Sequence, residues 1–214
     1  RDESGFRILH ELKDEAVIDI ANTVVQARDH VKGFFLTLRS ELAFYIGCMN
    51  LAKQIKIKGL PMVFPSINAK KTDGYYCKNL YNISLALQST NRNMANSVSG
   101  IGKRMTIITG ANQGGKTTFL RGFGQAKLMT SIGMFVVAGA FQTSTGNLYT
   151  HFKREEDSSL QSGKLDEELS RMKAIIELVH PGDWLLMNES FAATNEREGS
   201  EIAKGILDAL LEAG

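Results

Sequence analysis

Eight consecutive residues, Gly110-Ala111-Asn112-Gln113-Gly114-Gly115-Lys116-Thr117, constrain this chain more than any other stretch. They follow Met105-Thr106-Ile107-Ile108-Thr109, an apolar and β-branched run that reads as a buried strand. They precede Thr118-Phe119-Leu120-Arg121, which opens a helical pattern. Strand, glycine-rich turn and helix start give G-x-x-x-x-G-K-T its physical meaning, a phosphate cradle. Glycines let the backbone bend tightly and aim successive N–H groups at phosphate oxygens. The open N–H groups and positive dipole end of the following helix favour the same anion. Lys116 supplies a mobile positive charge for the β- and γ-phosphates, and the Thr117 hydroxyl is suited to ligate Mg²⁺. A glycine-rich turn with a surface lysine is the plain alternative, and the flanking strand and helix weigh against it. The expected nucleotide-binding set is Gly110, Ala111, Asn112, Gln113, Gly114, Gly115, Lys116, Thr117 and Thr118.

Composition narrows the class without choosing the partner. The 214 residues are 43% hydrophobic and 22% charged, as in an ordinary globular protein. A net charge of +2 neither requires nor excludes nucleic acid. No apolar run approaches bilayer-spanning length and the start lacks a signal-peptide pattern, so a cytoplasmic protein with no membrane partner is expected. Cys48 and Cys77 fall outside metal-ligand spacing and read as reduced thiols. The chain opens on Arg1 and stops in mid-pattern at Leu210-Leu211-Glu212-Ala213-Gly214, so a piece of a longer protein is expected.

From about Phe6 to Ile57 there is no proline, and Val31, Phe34, Phe35, Leu38, Leu42, Tyr45, Ile46 and Met49 recur at helical spacing. Leu9, Leu12, Val17, Ile20 and Val24 extend the stripe; Gly33 and Gly47 argue for a bend or a close helix contact. Such a stripe must pack on other helices or a partner chain, so residues 1–58 read as a rigid helical lever. Residues 60 to 100, punctuated by Pro61, Pro65 and Gly74, read as irregular β structure with turns at Thr72-Asp73-Gly74 and Ser99-Gly100. The polar run from Thr90 to Asn96 is ordinary loop, or with Asn93 or Met94 a contact for the nucleotide's base. Beyond the cradle, Phe119 to Met129 reads as helix, Met134 to Ala138 as a second buried strand, Leu165 to Val179 as an amphipathic helix, Trp184 to Met187 as a third strand and Ile202 to Leu211 as helix. Alternating strands and helices predict an α/β core around a mostly parallel sheet.

Triphosphate hydrolysis needs an acidic site, normally an apolar strand ending in carboxylates that hold Mg²⁺ and polarise water. Here the strand ends in Asn188-Glu189. Glu189 fits the water-activating role, with Lys116 as its catalytic partner at the phosphates. Asn188 can reach the metal only through water and brings no negative charge, which points to slow turnover. Ser158 to Lys164, ahead of a helix, forms a second anion-site pattern in which Ser162 and Gly163 stand out.

These motifs together resemble the MutS family of DNA mismatch repair proteins. Ile107 to Arg121 looks like its phosphate loop, with the doubled glycine, the loop asparagine and the Thr-Phe-Leu-Arg continuation. Ser162-Gly163 with Glu167, Glu168 and Met172 looks like its signature helix, and Asn188 to Gly199 like its acidic strand end. The resemblance implies a P-loop NTPase of ABC-ATPase type over residues 59–214, incomplete at its C-terminus, that binds ATP with Mg²⁺ and hydrolyses it. It implies a homodimer through these domains, with Ser162 and Gly163 completing the neighbour's site and DNA bound by regions outside the chain. Asn112 would hydrogen-bond the γ-phosphate or its water, and Glu189 would be the catalytic carboxylate. Asn188 departs from the family aspartate, and nothing here resembles a mismatch-reading domain. Competing expectations are a nucleotide-gated switch with little hydrolysis, a ribosome-acting MutS relative and a transporter's nucleotide-binding subunit. The long N-terminal arm argues against the last.

Overall fold

The computed structural model describes residues 3–68, 74–89, 94–153 and 163–213. The chain divides into two units, Arg1–Leu51 and Ala52–Gly214. The first is helix throughout its described residues, part of α1 (Glu3–Ile57). Neither Gly33 nor Gly47 breaks this helix, and a methyl group on either would meet nothing within 4 Å. They are therefore not close helix contacts, and each costs the helix only about 1 kcal/mol relative to alanine. Val17, Ile20, Val24, Val31, Phe34, Phe35, Tyr45 and Met49 are all exposed. α1 ends where Gly59 takes a left-handed φ of 67°. There Leu60 N–H donates to Ile55 O at 3.3 Å and Gly59 N–H to Lys56 O at 3.0 Å, the paired bonds of a glycine C-cap.

The second unit holds two small sheets. β1 (Ser66–Asn68), β2 (Tyr76–Leu80), β3 (Asn96–Ser99) and β4 (Ala140–Ser144) form one, in the order β1-β4-β2-β3. Only β1 and β4 run parallel; β2 is antiparallel to both of its neighbours. β5 (Leu148–Phe152) and β6 (Trp184–Asn188) form a separate parallel pair. The expected mostly parallel sheet flanked by helices is thus overturned. Two of its three expected strands are missing as strands. Met105 to Thr109 joins no ladder and Ile107 is 70% exposed. Met134 to Ala138 contributes one isolated bridge, Val136 to Val63, although Val136, Val137 and Ala138 are buried. Apolar β-branched residues favour extended backbone, but a strand also needs a neighbour to take its N–H and C=O groups. The expected third strand is present as β6.

Helices α2 (Ile83–Gln88), α3 (Lys116–Ser131), α4 (Lys164–Ile176) and α5 (Glu196–Ala213) complete the unit. Its core centres on Phe123 of α3, 2% exposed, whose ring lies 4.8 Å from Tyr75, 5.4 Å from Trp184 and 5.7 Å from Phe141. These rings join α3 to both sheets through tilted and edge-on contacts. One turn on, Lys127 is 1% exposed, donates to Ser144 O and sits 5.8 Å over the Trp184 ring. At the start of α3, Asn82 Nδ2 donates to Thr118 O at 3.0 Å while Asn82 Oδ1 caps α2 through Leu85 N–H at 2.9 Å. The helix that follows the glycine-rich loop is therefore fixed along its length before any ligand is considered.

Candidate functional site

The loop from Gly110 to Gly115 is exposed and turns on three left-handed residues, Gly110 (φ 151°), Gln113 (φ 62°) and Gly115 (φ 85°). Gly114 N–H closes a turn on Ala111 O at 3.0 Å, and a methyl at Gly114 would meet that same oxygen at 2.8 Å. Only glycine fits so tight a turn. Gly115 caps α3 without a side-chain hydrogen bond, so the first-turn N–H groups of Lys116, Thr117 and Thr118 point out of a helix N-terminus unscreened by a capping side chain. Lys116 Nζ folds back over the loop to Gly110 O at 2.8 Å and Ala111 O at 2.7 Å. Backbone donors, a helix dipole and one ammonium converge here, and that donor set suits a polyphosphate.

The loop meets the end of β6 directly. Thr117 Oγ1 donates to Asn188 Oδ1 at 2.8 Å, placing the first helical turn against the strand end 71 residues later. Among the described residues no group of three His, Cys, Asp or Glu could hold a metal. A Mg²⁺ here would draw on Thr117, on Asn188 through water and on the phosphate oxygens themselves, which suits an ion that keeps most of its water. Glu189 follows with a left-handed φ of 50° and is exposed. A cleft of about 620 Å³ is lined by Lys116, Asn188 and Glu189 together with apolar side chains including Ile107, Phe119 and Leu186. Arg104 closes one side by donating to Leu211 O of α5.

The remaining expected residues are less informative. Ser162 lies outside the described residues, as do Ser158, Asn93, Thr72 and Asp73. Gly163 is the N-cap of α4, with Asp166 and Glu167 in its first turn. Met94 is 79% exposed. Cys48 and Cys77 are both free thiols, and burial pushes the Cys77 thiol above its ordinary range.

Sequence reasoning missed His151. It stands at the end of β5, fully buried, paired in register with Met187. Its Nδ1 lies 2.7 Å from Ser190 Oγ and its Nε2 3.1 Å from Glu168 O of α4. Its ring stacks on Phe191 at 5.4 Å. The run Leu148 to Phe152 carries no motif, and only the strand pairing brings its histidine beside residues 189–191.

A family model described as MutS domain V matches residues 106–214, and one described as MutS2 N-terminal domain matches residues 1–58. The chain is 33% identical over 109 residues to endonuclease MutS2 of Carboxydothermus hydrogenoformans, which covers 50% of this chain and 14% of that protein. It is 31% identical over 112 residues to endonuclease MutS2 of Thermus thermophilus, covering 52% of this chain and 15% of the relative. It is 28% identical over 211 residues to DNA mismatch repair protein MutS of Thermosipho melanesiensis, covering 92% of this chain and 25% of the relative. The chain thus spans a quarter or less of the length of these relatives. With domain V matched over half its residues, this chain belongs to the MutS family.

Proposed function

We propose that this chain carries the ATP-binding and hydrolysing site of a MutS-type DNA repair protein. Supporting it is the direct bond between the phosphate loop and the strand end, Thr117 to Asn188 at 2.8 Å, which brings the loop motif and Glu189 to one cleft. Gly110 to Thr118 hold the phosphates through backbone N–H groups, and Lys116 leaves its loop carbonyls for the β- and γ-oxygens. Thr117, and Asn188 through water, would hold Mg²⁺, which would supply positive charge beside the phosphates. Glu189 takes a proton from the attacking water, and Asn112 orients the γ-phosphate or that water. Two copies face each other head to tail, with Ser162 and Gly163 of each completing the other's site. α1 carries the closed or open state to DNA-binding regions elsewhere in the protein.

Two substitutions test the site. Lys116→Ala is expected to weaken ATP binding by about tenfold or more. Glu189→Gln is expected to preserve binding and lower kcat by roughly a hundredfold. Unchanged turnover in both contradicts the assignment.

One observation favours a second reading, a nucleotide-gated switch with little hydrolysis. The Thr117 partner is the neutral amide oxygen of Asn188, which brings no negative charge to the first helical turn. Tight ATP binding with negligible turnover in the wild type, and turnover gained by Asn188→Asp, identifies the switch.

A further inference from the structure

We propose that His151 is a positioning residue for Glu189, holding the left-handed turn that presents this carboxylate and tying it to α4. The proposal rests on Glu189 acting at the nucleotide. Three consecutive residues follow β6: Glu189 (φ 50°), Ser190 and Phe191 (φ 62°). Left-handed backbone is costly for side chains of this kind and persists only where surroundings dictate it. His151 supplies those surroundings from one ring. Its Nδ1 holds the Ser190 hydroxyl at 2.7 Å, and its face stacks on Phe191, which is 1% exposed. Ser190 Oγ also lies 3.1 Å from His151 O, a second acceptor within reach of its single proton. The turn is therefore bracketed on its middle and last residues, and Glu189, the most exposed of the three, lines the cleft beside Ser190.

The far side of the ring anchors to a different element. Nε2 lies 3.1 Å from Glu168 O, and a carbonyl only accepts, so Nε2 carries a proton. With one hydroxyl proton to give, Ser190 donates to Nδ1 of the neutral ring rather than to the His151 carbonyl, giving an unbroken line from Ser190 through the imidazole to α4. Arg171, one turn further along α4, donates from Nη1 to Phe152 O at 3.1 Å and fastens the same end of β5. Any shift of α4 against β5 is thus transmitted to the Glu189 turn through one buried ring. No charge or substrate contact is required of His151.

The two ring nitrogens can be tested separately in the full chain. His151→Gln keeps a donor near Nε2 and loses the Ser190 contact; His151→Asn keeps an acceptor where Nδ1 stands and loses the α4 contact. Ser190→Ala removes the shared hydroxyl without enlarging the core. For each variant, hydrogen exchange over residues 188–194 is measured beside kcat, KM and the thermal midpoint. Ser190→Ala and His151→Gln are expected to speed exchange across that segment. They are also expected to lower kcat roughly ten- to hundredfold with KM altered less than about threefold. His151→Asn is expected to fall nearer the wild type in both readouts. Unchanged exchange in Ser190→Ala and His151→Gln overturns the tie, and faster exchange with unchanged kcat overturns the positioning of Glu189. A wild-type chain that binds ATP but never turns it over overturns the catalytic reading of Glu189, and with it the positioning role. In that case the exchange rates still decide whether His151 holds the turn.

Discussion

Thr117 and Asn188 meet through uncharged oxygens where the glycine-rich loop touches the end of β6. Asn188→Asp replaces one amide by a carboxylate of nearly equal shape, so its effect is electrostatic. It is expected to lower the Mg²⁺ concentration for half-maximal ATP turnover by about tenfold, in line with the gain of one charged contact. A Mg²⁺ titration of wild type and variant checks this, and coincident curves count against Asn188 as a metal-side residue. Lys127 offers a second residue-scale test. Burial pushes its ammonium below the ordinary lysine value, and the Asp183 carboxylate only partly restores it. Between the depressed folded value and the ordinary one, the unfolded chain binds more protons than the folded chain. Stability therefore rises with pH across that window, and the penalty of the buried charge is present in full below it. Melting curves through the alkaline range are expected to show this rise in the wild type and its loss in Lys127→Met; parallel curves contradict it.

At the scale of elements, the site depends on how α3 is seated. Asn82 caps α2 and also holds the Thr118 carbonyl in the first turn of α3. Asn82→Ala is expected to cost about 1–2 kcal/mol in a urea melt, since it removes a cap and a second hydrogen bond together. It is also expected to weaken ATP binding, and a loss of stability alone would mean that α2 does not help to seat the loop. The same elements show what a linear sequence carries. The glycine-rich loop, the helix behind it and β6 were legible because turn residues and a short apolar run are local signals. Residues 105–109 and 134–138 bear the same apolar pattern and do not form strands, because pairing is decided by a neighbour and composition cannot name one. Glu189 was legible as a strand-end carboxylate, whereas its left-handed turn and His151 were not. Both depend on β5 pairing with β6 across more than thirty residues of intervening chain. The unbroken course of α1 through Gly33 and Gly47 was likewise hidden, since a glycine's local cost is small against a long run of good helix formers.

For the molecule as a whole, one aromatic cluster holds the second unit together. Phe123 touches rings from the loop before β2, from β4 and from β6, so both sheets and α3 lose a common anchor without it. Phe123→Ala is expected to cost about 3–5 kcal/mol, read as the shift of a denaturant melt. A cost below about 1 kcal/mol would place the core elsewhere. The exposed apolar stripe of α1 lies within residues 1–58, the stretch that matches the MutS2 N-terminal domain. Every functional role proposed for this chain requires that the Gly110–Thr117 loop grip a polyphosphate. Calorimetric titration of a non-hydrolysable ATP analogue with Mg²⁺ into the wild-type chain and Lys116→Ala measures this most directly. Saturable binding by the wild type, weakened about tenfold or more in the variant, is the predicted result. Absence of binding to the wild type, or equal affinity in the two proteins, would contradict it.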